Sequence, residues 1–191
     1  GNYKKNFYQR LAYDEIFSSF LVNSEIRTKI KKIKKKNKIF YEKNQNLIIN
    51  KLNFSLTKDQ KKTLDEINKD LCSSKKMFRS LQGDVGSGKT IVALLAAFNT
   101  IKSGFQVAVM APTEILARQH YNLAKEIFPR KLKIQLISGK PNYRSKKEIL
   151  NKLTTNKIDI IFGTHAIFQK KVIYKNLGLI IIDEQHKFGV N

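Results

Sequence analysis

The chain has 191 residues, 41% hydrophobic and 27% charged, enough for one packed domain with an appendage. No stretch approaches the roughly 20 consecutive apolar residues of a membrane span, no apolar signal core follows the opening residues, and a single cysteine, Cys72, excludes an internal disulfide and suits a reducing compartment. The net charge of +22 suits a polyanionic partner, but only six of the 37 basic residues are arginine, and a lysine excess beside abundant Asn and Ile also reads as compositional bias.

Residues 1–50 read as a helical segment distinct from the rest of the chain. Tyr13, Ile16, Phe17, Phe20 and Leu21 recur at helical spacing, and Ile26, Ile30 and Ile33 continue it. One helix over about 7–36 would span ~45 Å. Its second half is strongly basic, from Arg27 to Lys38. With no aromatic residue interleaved for base stacking, it reads as a solvated face sooner than as a phosphate-facing strut.

From residue 51 onward, strands alternate with helices. The apolar runs predict strands over 76–82, 106–112, 132–138, 157–164 and 177–184, and the intervening patterns predict helices over about 89–102, 114–128 and 142–153. This alternation predicts an α/β fold: a parallel sheet, helices on both faces, and near-continuous apolar strands.

The most specific signal is Gly83-Asp84-Val85-Gly86-Ser87-Gly88-Lys89-Thr90. It matches the phosphate-binding P-loop in full and sits between a predicted strand and a predicted helix. The glycines let the backbone turn its N–H groups toward one anion, and the following helix adds its positive end. Lys89 is expected to reach the β- and γ-phosphates and Thr90 to offer its hydroxyl to Mg²⁺. About 95 residues downstream an apolar run ends in Asp183-Glu184. Asp183 suits the Mg²⁺ ligand at a strand's carboxyl end, and Glu184 suits activation of the attacking water. Together the two motifs point to hydrolysis of a nucleoside triphosphate.

Three further features read two ways. Thr57 and Gln60 have the spacing of a helix capping box, yet Gln60 could instead read an adenine edge with Phe54 packed on the base. Thr113 and Thr164 each follow a predicted strand at a helix start, where they could cap the helix or mark N–H groups that receive a backbone phosphate. His120, His165 and His186 lie on separate elements, and with Cys72 they form no metal-ligand spacing.

The segments LQGDVGSGKT, MAPTEILARQH, GTHAIFQ and IIIDEQHKFGV, in this order and spacing, resemble the first motor lobe of the RecG family, bacterial superfamily 2 DNA helicases that drive branch migration. RLAYDE at 10–15 and FSLTKDQ at 54–60 resemble the family's linker helix and motor entry. The motor of the transcription-repair coupling factors is the nearest alternative, and Gln82, Glu114 and the Asp-Glu-Gln-His box favour RecG. A nucleotide- or DNA-binding piece without enzymatic activity is the alternative of another class. Ser80 and Lys187 depart from the family's usual leucine and arginine.

The resemblance implies a RecA-like lobe over 51–191, preceded by the helical linker. It implies ATP and Mg²⁺ bound through Gln60, the P-loop, Thr90 and Asp183, with hydrolysis carried by Lys89, Asp183 and Glu184. It implies DNA contact by Pro112, Thr113, Glu114, Arg118, Gly163, Thr164 and His165, and coupling of the two sites by Gln185 and His186. It further implies a monomeric bacterial cytoplasmic enzyme on forks and Holliday junctions. In the family a wedge domain precedes these residues, and a further motif and a second lobe with an arginine finger come after them. Residues 1–191 alone are therefore expected to bind ATP weakly and to unwind nothing.

Overall fold

A computed structural model describes residues 37–84, 86–139, 143–169 and 172–183. The expected helix over 7–36 lies outside these residues, as do Val85, Glu184, Gln185 and His186. The described elements run α1 (Glu42–Ile49), α2 (Lys58–Cys72), α3 (Lys89–Lys102), β1 (Gln106–Met110), α4 (Glu114–Ile127), β2 (Ile134–Leu136), α5 (Tyr143–Thr154), β3 (Ile160–Gly163), a one-turn 3-10 helix (His165–Phe168) and β4 (Leu177–Ile182).

The four strands form one parallel sheet in the order β2-β3-β1-β4. β1 is central, and its five residues are all buried, which explains why QVAVM reads as an uninterrupted apolar run apart from its first residue. The two-residue period of a strand divides the core. Val107 and Val109 face a large cluster with α1, α2, α3 and α4, whereas Ala108 and Met110 face a smaller one with Leu153 of α5 and Ile167. Both faces are therefore covered, as the alternating pattern predicts. Helix α3 is buried along nearly its whole length, from Ile91 to Ile101. It packs against β1 and β4 on one side and against α1 and α2 on the other, so it requires an apolar surface all round.

The expected strand over 76–82 does not form. This stretch has no regular secondary structure and joins no ladder of the described sheet. Met77 and Leu81 still pack on the large cluster, so the apolar alternation is real. What holds the segment is a side-chain clamp: Arg79 donates to Asp70 and Glu66 of α2 at 2.8 Å. A strand requires a neighbour's backbone, which a single-sequence pattern does not reveal. On the described sheet β4 is an edge strand, and its Ile180 is 47% exposed.

Buried polar residues fix the helices' register. Gln45 Oε1 accepts from Asn68 Nδ2 and Asn99 Nδ2, at 3.0 and 2.9 Å, and so ties α1 to α2 and α3. Among the described residues, helices long and apolar enough to cross a membrane are absent. Gln45→Ala removes the acceptor shared by two buried amide groups and is expected to cost about 2 kcal/mol in urea unfolding. Asn46→Ala, on the exposed face of the same helix, is expected to cost far less.

Candidate functional site

The P-loop folds as its glycines require. Gly86 and Gly88 take φ of 83° and 78°, the left-handed region that side chains disfavour. Gly88 is also the N-cap of α3, so the loop delivers Lys89 and Thr90 at a helix N-terminus with its free N–H groups and positive dipole. Lys89 Nζ donates to the carbonyl oxygens of Gly83 and, at 2.7 Å, of Asp84. The ammonium therefore sits over its own loop.

Of the two readings of Thr57 and Gln60, the capping reading is the one the geometry realises. The capping box is complete: Gln60 N donates to Thr57 Oγ1 at 3.2 Å, and Thr57 N donates to Gln60 Oε1 at 2.9 Å. The other end of the same amide reaches the P-loop, with Gln60 Nε2 donating to Ser87 O at 2.8 Å. The cap of α2 thus braces the phosphate loop. Phe54, in the segment leading into that cap, is 52% exposed.

Asp183 comes directly after β4, and its N–H donates to Met110 O of β1 at 2.8 Å. Helix α3, which begins with Lys89 and Thr90, packs against β4. A hydroxyl and one carboxylate are hard oxygen donors that suit Mg²⁺. Among the described residues there is no cluster of three or more His, Cys, Asp or Glu side chains that could hold a metal ion. A cation held by Thr90 and Asp183 would supply charge neutralisation at the phosphates.

The other residue set gathers at the same end of the sheet. Met110 pairs with Gly163, and Ala111 N donates to Gly163 O at 2.9 Å. That bond places the loop of Pro112, Thr113 and Glu114 beside Gly163, Thr164 and His165. Thr113 caps α4, its hydroxyl oxygen accepting from Leu116 N at 3.2 Å, whereas Thr164 precedes the 3-10 turn without a side-chain cap. Arg118 Nη2 donates to Ser138 Oγ at 2.8 Å, which ties α4 to the loop after β2. Glu114, Arg118 and His165 are exposed.

Residues 57–191 match the family described as DEAD/DEAH box helicase. The chain belongs to that family. Within it the likeness is to RecG. The chain is 44% identical over 185 residues to the ATP-dependent DNA helicase RecG of Aquifex aeolicus (strain VF5), covering 96% of this chain and 23% of that protein. It is 51% identical over 139 residues to RecG of Streptococcus pneumoniae serotype 4, covering 73% of this chain and 21% of that protein. A solved structure of RecG bound to a three-way DNA junction superimposes with a TM-score of 0.80 at 44% identity, over 94% of this chain and 25% of that one. The UvsW helicase of bacteriophage T4 matches with a TM-score of 0.54 at 19% identity, over 80% of this chain and 54% of that one, a likeness of fold. The chain spans about a quarter of the length of the curated RecG proteins it matches.

One contact in this helicase lobe has no sequence signal. His120 Nε2 lies 2.6 Å from Asp183 Oδ2, across 63 positions of chain. His120 stands on α4, among residues resembling a DNA-facing motif, and only the fold brings it to the acidic strand end.

Gly88→Ala places a methyl group 2.2 Å from Gln60 Nε2 at a left-handed φ. It is expected to abolish binding of a fluorescent ATP analogue and to lower stability by about 1–2 kcal/mol, read by fluorescence titration and thermal unfolding. Binding retained at wild-type strength would show that the loop tolerates a different path.

Proposed function

We propose that this chain is the ATP-binding lobe of a DNA helicase or translocase motor that acts on branched DNA. The observation that carries the reading is the junction at the end of β1, where Met110 O holds Asp183 and Ala111 N holds Gly163. A carboxylate suited to the nucleotide's cation and two loops suited to a polyanion's backbone thus hang on one strand end.

In this reading the P-loop N–H groups and the α3 N-terminus bind the phosphates of ATP. Lys89 moves its ammonium from loop carbonyls to phosphate oxygens, and its charge then opposes that developing on the transferred group. Thr90 and Asp183 would hold Mg²⁺, which would supply charge neutralisation at the phosphates, and Glu184, next in sequence, would orient the attacking water. Gln60 and Phe54 meet the adenine, the glutamine through the amide that already braces Ser87. Thr113 and Thr164, with Pro112, Glu114, Arg118, Gly163 and His165, face the DNA backbone, and Gln185 and His186 relay between the two sites. Support for branched DNA comes from the likeness to RecG, one member of which is solved on a three-way junction.

Lys89→Ala and Asp183→Asn are each expected to lower ATP turnover of the intact protein by at least about 100-fold. Three-way junction DNA is expected to stimulate wild-type turnover more than linear duplex of equal length. Equal stimulation by both would remove the branched substrate from the proposal, and full turnover by Lys89→Ala would remove the ATP site.

A further inference from the structure

We propose that His120 is a positioning residue for the ATP site: it orients the Asp183 carboxylate for Mg²⁺ by occupying one of its two oxygens. This rests on the reading of Asp183 as the cation's ligand, but not on any role for DNA.

The geometry is specific. The His120 side chain is 11% exposed and the Asp183 side chain 32%, with Nε2 and Oδ2 2.6 Å apart. That is a close hydrogen-bond contact, and with the carboxylate as acceptor the pairing requires a proton on Nε2. Free rotation about the terminal bond of an aspartate leaves its two oxygens interchangeable. A donor fixed on Oδ2 removes that freedom and leaves Oδ1 as the oxygen for a cation. The donor is itself held in place. His120 is buried in the middle of α4. The helix is capped by Thr113 and anchored through Arg118 to Ser138, and it packs on β2 and β3.

Two supports of different origin therefore fix Asp183. The ladder bond to Met110 O places its backbone, and the imidazole sets its side chain. Hydrogen bonds to a metal-ligating carboxylate commonly tune metal affinity by 10–100-fold. The same contact gives α4, whose first turn carries Thr113 and Glu114, a direct hold on the nucleotide side. Movement of this helix would thus reach the carboxylate without passing through β1.

The test measures metal dependence separately from nucleotide affinity. The affinity of the intact protein for mant-ATP is titrated in EDTA and then against Mg²⁺, for wild type, His120→Ala and His120→Gln, with thermal unfolding of each. His120→Ala is expected to raise the Mg²⁺ concentration for half-maximal effect about 10-fold and to leave affinity in EDTA unchanged. His120→Gln, which keeps a terminal N–H donor, is expected to recover most of that loss. An unchanged Mg²⁺ requirement in His120→Ala, with only a lower melting temperature, would make the contact a structural staple and overturn the proposal. Equal loss in Ala and Gln variants would also overturn it. A wild-type protein whose mant-ATP binding ignores Mg²⁺ would overturn the ATP-site reading itself, and this inference with it.

Discussion

The hydrogen bonds at the carboxyl end of β1 are the constraint on which the rest depends. A parallel sheet sends every strand the same way, so the loops that leave its strands emerge together at one end. Here that end is pinned on both sides: Asp183 N to Met110 O at 2.8 Å, and Ala111 N to Gly163 O at 2.9 Å. Neither bond involves a side chain, so neither depends on the chemistry of the side chains at Met110, Ala111 or Asp183. Space is the remaining requirement. A Cβ on Gly163 would come 2.6 Å from Ile167 Cγ2 and 3.1 Å from Ile137 O, so the glycine is needed where the 3-10 turn folds back against the sheet.

The opposite end of β1 is held by a side chain. Gln106 is 1% exposed. Its amide nitrogen donates to Leu153 O and Ile158 O, and its oxygen accepts from Asn176 N. One buried residue thereby joins the end of α5, the approach to β3 and the approach to β4, with its polar atoms paired as burial demands. The central strand is fixed at both ends and covered on both faces. The candidate site loops are mounted on this strand, and precise placement of reacting groups requires such a rigid support.

How much the sequence reveals depends on the range of the forces involved. Local periodicity and capping place α3 at Lys89–Lys102 and α4 at Glu114–Ile127 within a residue of expectation, because helices are written in i to i+4 contacts. The capping box at Thr57 and Gln60 is equally local. The same amide's bond to Ser87 crosses 27 positions, and no spacing rule announces it. The contact of His120 is hidden for a like reason: its partner is 63 residues away. The stretch 76–82 misleads in the other direction, since an apolar alternation reports burial and the ladder depends on a neighbouring backbone. The P-loop motif is legible in the sequence because its residues are consecutive.

The central proposal is that nucleotide and DNA are felt by one strand end and must therefore influence one another. Linkage makes this measurable, because a coupling between two binding sites is reciprocal. The decisive measurement is a binding cycle on the intact protein: junction-DNA affinity with and without a Mg²⁺-bound, non-hydrolysable ATP analogue, and analogue affinity with and without the DNA. The account predicts that each ligand changes the other's affinity by the same factor, at least about five-fold. Two affinities that ignore each other would contradict it, and would leave the junction at β1 as architecture alone.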